Sequence, residues 1–215
     1  MKVGVLGTGD VGRALGKGFI ELGHDVMMGS RSATNEKARA WAGERGSKAS
    51  TGTFADAASF GEVVVLATLG VANESVLQSA GPDRFRGKLV IDTTNPLDFS
   101  AGMPPTLAFS GNDSGGERVQ RQLPGARVVK AFNTVGSPFM FRPDFPGGPP
   151  DMFIAGDDEE AKKETARILT DFGWGTVDAG GITSSRYLEG MCLVWVISAL
   201  KTGNWNQAFK MLKKQ

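Results

Sequence analysis

The residues best placed to do chemistry stand at the front of the chain. Gly7-Thr8-Gly9-Asp10-Val11-Gly12 follows a short apolar run, Lys2–Leu6, and opens a segment with apolar residues at Val11, Ala14, Leu15, Phe19 and Leu22. With 30 Gly among 215 residues, about twice the usual share of roughly 7%, a G-x-G-x-x-G pattern is weak by itself. Between a first strand and a first helix it becomes specific. Gly7 permits the tight turn, Gly9 lets backbone approach a pyrophosphate, and Gly12 lets helix and strand pack closely. The helix N-terminus adds unpaired N–H groups and the positive end of its dipole. Thr8, Asp10 and Val11 complete a dinucleotide-binding turn; the bland rival is a tight packing turn with no ligand.

The end of the second strand selects the dinucleotide. An NAD site usually has Asp or Glu about 20 residues past the glycines, on the ribose 2′-hydroxyl. Here the stretch is Met28-Gly29-Ser30-Arg31-Ser32, with no carboxylate. An Arg beside two hydroxyls can hold a 2′-phosphate through charge-assisted hydrogen bonds. NADP(H) is therefore expected, held by Ser30, Arg31 and Ser32, although Ser32 also suits the N-cap of a helix running through Glu44.

Ligands of open parallel sheets bind at the carboxyl edge. The other strand ends there are Ala67-Thr68-Leu69-Gly70, Thr93-Thr94-Asn95-Pro96 and Lys130-Ala131-Phe132-Asn133-Thr134. Asn95 and Asn133 carry amides suited to a nicotinamide carboxamide, while an Asx turn before Pro96 accounts for Asn95 nearly as well. Gly70 is expected to clear space for the ring. Lys130 is not assigned to catalysis, because strand alternation sets it opposite Ala131 and a structural carboxylate is at least as good a partner. His24 falls at the amino edge of the second strand, away from the ligand. Cys192 lies in the apolar run Met191–Ile197 and reads as a small hydrophobe. Asp157-Asp158-Glu159-Glu160 has the look of a metal cluster, but suits the acidic first turn of a helix better. No metal and no catalytic side chain are expected.

These residues need a frame. Strands are expected at Lys2–Leu6, Asp25–Met28, Val63–Ala67, Leu89–Asp92, Arg127–Phe132 and Gly175–Asp178. Helices are expected over Val11–Leu22, from Ser32 to Glu44, over Asn73–Ala80, from Ser114 with Glu117 as its capping box, and from the Asp157/Glu160 turn through Phe172. Such alternation predicts an α/β fold, a Rossmann-type doubly wound, mostly parallel sheet with helices on both faces. Residues 1–215 read as a single NADP-binding domain, with an α/β core over 1–180 and a helical tail over 181–215. Pro138–Pro150 holds five of the ten Pro and reads as an irregular loop inside that domain.

Composition narrows the function classes. A net charge of +1 gives no footprint for nucleic acid or an anionic membrane. One His and one Cys exclude a disulfide framework and zinc sites built from several His or Cys. The longest apolar run is far below the roughly 20 residues of a membrane span, and Met1-Lys2-Val3 enters the first strand without a secretory leader. A cytoplasmic enzyme or binding protein is expected.

Gly7–Gly12, Gly29-Ser30-Arg31, Asp92-Thr93-Thr94-Asn95-Pro96, Lys130-Ala131-Phe132-Asn133 and Ala155-Gly156-Asp157-Asp158 together resemble one family. It is that of the NADP oxidoreductases dependent on the deazaflavin coenzyme F-420, to which the cytoplasmic domains of the STEAP metalloreductases are similar. The likeness covers most of residues 1–180. It implies NADPH along the sheet edge and a hydride exchanged with a deazaflavin or flavin (F-420, FMN or FAD) stacked on the nicotinamide. It also implies that Thr8–Val11 and Ser30-Arg31 hold the phosphates, and that Thr68, Leu69, Asn95, Ala131 and Asn133 line the nicotinamide. Family members often carry a further basic residue after the Ser-Arg pair; here Asn35 stands near that place, with Lys37 close by.

Hydride transfer between two bound rings needs their reacting atoms held about 3–3.5 Å apart and no side-chain base in that step. Two other readings stay open. One is a non-catalytic NADPH sensor using the apolar tail, in which Trp205, Phe209 and Leu212 recur at helical spacing. The other is a reductase of a small carbonyl or imine using Lys130. The tail is also a candidate homodimer face, and Pro138–Pro150 a candidate lid.

Overall fold

Val63, Val64, Val65 and Leu66 are all buried. Val63 and Val65 enter one apolar core, Val64 and Leu66 another, the alternation of a strand covered on both faces. The computed structural model describes residues 1–214, in the order β1 (Lys2–Leu6), α1 (Asp10–Glu21), β2 (Asp25–Ser30), α2 (Glu36–Gly43), β3 (Ala49–Thr53), α3 (Phe54–Phe60), β4 (Val63–Leu66), α4 (Asn73–Ala80), β5 (Leu89–Asp92), β6 (Leu97–Asp98), β7 (Thr106–Leu107), α5 (Gly115–Gln122), β8 (Arg127–Lys130), β9 (Asp151–Gly156), α6 (Glu159–Asp171), β10 (Gly175–Asp178) and α7 (Ser185–Thr202).

Eight strands form one sheet in the order β10-β9-β8-β5-β4-β1-β2-β3. Neighbours pair in parallel except β8 with β9, which meet antiparallel through Val129↔Gly156 and Lys130↔Ala155. From β1 the chain winds outward to β2 and β3, then returns to β4 on the other side. That reversal opens a crevice over the carboxyl ends of β1 and β4. Helices α1, α2 and α6 cover one face and α3, α4 and α5 the other. The doubly wound, mostly parallel sheet expected from sequence is thus the observed one.

Several local expectations need correction. Helix α2 starts at Glu36, where Asn35 Oδ1 accepts from Ala38 N at 3.0 Å; Ser32 is no cap, and its hydroxyl instead contacts Thr34. Asp158 rather than Asp157 caps α6, accepting from Ala161 N, while Asp157 takes the N–H of Ile182. Ser114 does cap α5, but its own N–H goes to Asp113, so the box is not closed by Glu117. Strand β8 stops at Lys130 because the chain turns at Phe132, whose φ is 60°.

Helix α7 ends at Gly203 in the left-handed region, and residues 203–214 are irregular. Trp205, Phe209 and Leu212 therefore do not share a helix face. Trp205 packs on Trp195 at 5.5 Å between ring centres, Phe209 joins Cys192, Trp195 and Val196, and Leu212 is exposed. The Pro138–Pro150 loop is pinned at both ends. Met140 is buried and its carbonyl accepts from Trp174 Nε1 at 3.0 Å, while Lys210 Nζ reaches the Pro149 carbonyl.

Candidate dinucleotide site

The glycine turn has the geometry its spacing predicts. Gly7 has φ 130° and donates its N–H to the Gly29 carbonyl at 3.0 Å, tying β1 to β2. A Cβ on Gly7 would lie 2.3 Å from the Ala67 carbonyl oxygen, and one on Gly12 equally close to that of Gly7. Gly9 differs: a Cβ there would meet nothing within 4 Å. Gly9 is also the N-cap of α1, with no side chain satisfying the first turn. The space and the unpaired N–H groups coincide, which is what a pyrophosphate requires. Asp10 is turned aside into an ion pair with Arg13.

Gly9→Ala is therefore expected to leave the melting temperature unchanged while weakening NADP+ binding by about tenfold, or ~1.4 kcal/mol. Gly12→Ala is expected instead to destabilise the fold by about 1–3 kcal/mol through overpacking. Melting curves together with a titration separate the two.

At the end of β2, Ser30 Oγ donates to the Ser32 carbonyl at 2.6 Å and accepts from Ser32 N at 3.3 Å. The loop is thereby curled into a turn with Arg31 on its outside. Arg31 is exposed and takes part in none of the ion pairs or side-chain hydrogen bonds found among the described residues. An anion meeting this loop finds a guanidinium with its donors free.

The remaining strand ends divide sharply. Leu69 is 74% exposed and Val71 49%, leaving an apolar lip beyond β4. Asn95 and Asn133 are locked on each other: Asn95 Nδ2 donates to the Asn133 carbonyl at 2.8 Å, and Asn133 Nδ2 to Asn95 Oδ1 at 3.0 Å and the Leu188 carbonyl at 2.9 Å. Asn133 Oδ1 is buried without a partner. Ala131 is buried, and the Phe132 ring is in the core against Phe172, 5.6 Å between centres; Phe132 can offer the edge only backbone. Gly70 does not clear space for a ring, since a Cβ there would sit 2.3 Å from the Asn95 carbonyl oxygen. It makes room for the Asn95–Pro96 backbone.

Lys130 is fully buried, with Nζ 2.8 Å from Asp92 Oδ2 and 2.7 Å from Glu189 Oε1. Burial opposes its charge, but the two carboxylates outweigh it and hold its pKa above the ordinary lysine value. Glu189 also accepts the N–H groups of Gly115 and Gly116 at 3.0 Å each, filling the N-terminus of α5 with a protein carboxylate. Motif reading does not find Glu189, though an acid inside the apolar α7 is a signal that something buried must answer it.

Two cavities flank this edge. One of about 840 Å³ borders it at Gly70 and Asn73 and runs between α4 and α5; the other, about 640 Å³, lies between α1 and α2. His24 lies at the opposite, amino edge beside Met1 N. Cys192 is buried, and burial pushes its thiol up to about 11, so it serves as a hydrophobe. Among the described residues no group of His, Cys, Asp and Glu could hold a metal ion, and no helix is long and apolar enough to cross a membrane.

This fold and turn define a dinucleotide-binding protein. Residues 2–96 match the family described as NADP oxidoreductase, coenzyme F420-dependent. The F420-dependent NADP reductase of Methanocaldococcus jannaschii is 31% identical over 199 residues, covering 88% of each chain. Metalloreductase STEAP3 of Rattus norvegicus is 29% identical over 192 residues, which are 89% of this chain; the match spans only 36% of the length of STEAP3. A crystal structure from Arthrobacter sp. FB24, provisionally named an F420-dependent NADP reductase, superposes with a TM-score of 0.93 at 39% identity, covering 99% of this chain and 100% of that one. The chain belongs to the family of F-420-dependent NADP oxidoreductases, and is an NADP-dependent oxidoreductase.

Proposed function

We propose that the chain transfers a hydride between NADP(H) and a deazaflavin or flavin (F-420, FMN or FAD) whose ring lies against the nicotinamide. One observation carries the reading beyond family membership. The single lysine at the strand ends is sealed beneath two carboxylates, so this edge offers an incoming carbonyl or imine no lysine acid. What the edge does offer is an exposed apolar lip at Leu69 and Val71, suited to a ring. The reductase reading through Lys130 loses its residue.

Bound NADP(H) supplies the hydride at the nicotinamide. The protein's part is to hold and orient it. The turn of Gly7, Thr8, Gly9, Asp10, Val11 and Gly12, with the open N-terminus of α1, takes the pyrophosphate; Ser30, Arg31 and Ser32 take the 2′-phosphate. Thr68, Leu69, Asn95, Ala131, Asn133 and the Phe132 backbone border the nicotinamide. The cytoplasm, where NADPH is maintained, is the compartment this reading implies, and residues 1–215 act as one NADP-binding domain.

NADPH oxidation at fixed protein, followed separately with F-420, FMN, FAD and a ferric chelate, tests the proposal. Turnover with at least one of the ring acceptors is expected, with NADPH preferred to NADH. Tight NADPH binding without turnover of any of them would favour the sensor.

The outer side of α7 supports a homodimer. Tyr187, Val194, Ile197 and Leu200 are exposed along it, and a helix apolar on all sides ordinarily has its outer side covered. Sedimentation equilibrium is expected to give twice the chain mass; a monomer at micromolar concentration would remove this part of the reading.

A further inference from the structure

A chain of buried hydrogen bonds runs from the sheet's interior to the proposed nicotinamide edge, and donor arithmetic fixes its direction. It begins at Lys130, which has only donors. Asp92 accepts the Lys130 ammonium on Oδ2 at 2.8 Å. Its Oδ1 accepts both the backbone N–H of Thr94, at 3.0 Å, and the Thr94 hydroxyl, at 2.7 Å. The hydrogen of that hydroxyl is thus spent inward, leaving Oγ1 to accept from Asn73 Nδ2 at 2.8 Å. A flipped Asn73 would set its Oδ1 against the Thr94 oxygen, which has no hydrogen left to give, so Asn73 cannot flip and its Oδ1 must face Thr68. Thr68 Oγ1 lies 2.9 Å from that oxygen and gives it its one hydrogen.

Thr68 is partly exposed while Asn73, Asp92, Thr94 and Lys130 are buried. Toward a ligand the Thr68 hydroxyl therefore has only lone pairs. We infer that Thr68 is a fixed hydrogen-bond acceptor for the carboxamide –NH2 of the nicotinamide, and that Asn73, Thr94, Asp92 and Lys130 are positioning residues that set this polarity. The inference rests on the reading that places the nicotinamide at this edge. Its consequence is specificity: an amide is accepted and the corresponding carboxylate, which has no hydrogen to give, is refused. The discrimination arises because the analogue's carboxylate would meet a hydroxyl that has only lone pairs to offer, two acceptors face to face.

The test is the ratio of dissociation constants for NADP+ and for its nicotinic acid analogue, measured by titration calorimetry in the wild type and in five variants. The wild type is expected to prefer NADP+. Thr68→Val should lower the preference by about tenfold or more, the worth of one hydrogen bond with its desolvation. Thr94→Val and Asn73→Leu should lower it similarly without touching ligand, by releasing the Thr68 hydrogen to turn outward. Thr68→Ser and Thr94→Ser should keep the preference within about twofold. The analogue's extra charge is common to all variants, so the change in ratio isolates polarity. Should Thr94→Val fail to fold, Asn73→Leu reads the same relay, and Thr68→Val sits at a partly exposed edge.

Binding of 2′,5′-ADP, which lacks the nicotinamide half, should be unchanged throughout. An unchanged ratio in Thr94→Val and Asn73→Leu overturns the relay. Equal weakening of both dinucleotides by Thr68→Val overturns the carboxamide as the partner. If the wild type binds neither 2′,5′-ADP nor NADP+, the NADP reading fails and takes this inference with it.

Discussion

Arg31→Ala should remove most of the preference for NADPH over NADH, by about 10- to 100-fold, while changing the affinity for NADH little. The magnitude follows from the loss of a charge-assisted hydrogen bond, about 1.5–3 kcal/mol. The geometry makes the prediction clean. Arg31 is exposed, and the turn beneath it is built by Ser30 and Ser32 through contacts that do not involve its side chain. Its removal should therefore leave the loop and the fold in place. Arg31→Lys should recover only part of the preference, because a point charge cannot reproduce the planar fork. The ratio of kcat/KM for the two dinucleotides, with one acceptor, measures the effect; a ratio unmoved in Arg31→Ala contradicts the role given to this residue.

Lys130→Met should destabilise the protein by about 3–5 kcal/mol, since it leaves Asp92 and Glu189 as buried carboxylates without their cation. For a chain of this size that is a fall in melting temperature of roughly 6–20 °C. The sign of the pH dependence is specific. A base whose folded pKa is raised contributes fully below its unfolded value, near 10.4, and loses that contribution only as the pH climbs through the raised one. The contribution of the Lys130 charge to wild-type stability should therefore be the same at pH 6 and pH 8. Whatever fraction of the variant folds should still bind 2′,5′-ADP, whose site is remote from the buried pair. An unchanged melting temperature with turnover abolished would instead mark Lys130 as chemical, and would revive the carbonyl or imine reductase.

The parts of the fold legible in sequence are those where physics leaves one option. Val63–Leu66 can only be a strand covered twice, and Gly7, Gly9 and Gly12 between a strand and a helix leave little but a dinucleotide turn. Strand β3, Ala-Ser-Thr-Gly-Thr, was not legible, because an edge strand needs no apolar alternation. The Thr53/Asp56 capping box beside it was the available signal for α3. Strand β9 was hidden behind the Pro-rich loop, although Met152–Ala155 is an apolar run. Its antiparallel pairing depends on the route of that loop, which no local pattern records.

At the site, sequence named the edge but not the state of its side chains. The buried partner suggested for Lys130 is there twice over, from Asp92 and from Glu189. Asn95 and Asn133, read as candidate partners of a carboxamide, hold each other, and Gly70 yields to backbone rather than to a ring. These depend on contacts between residues far apart in the chain. Spacing along a sequence cannot express them.

Direct hydride transfer between NADP(H) and a ring acceptor leaves an isotopic trace. The decisive measurement is reduction of F-420 by NADPH carrying deuterium at the transferable C4 position, under single-turnover conditions. The deuterium is expected in the reduced deazaflavin, whose accepting atom is a carbon, with none released to water. Loss of the label to solvent, or no oxidation of NADPH by F-420, FMN or FAD at saturating concentrations, would contradict it.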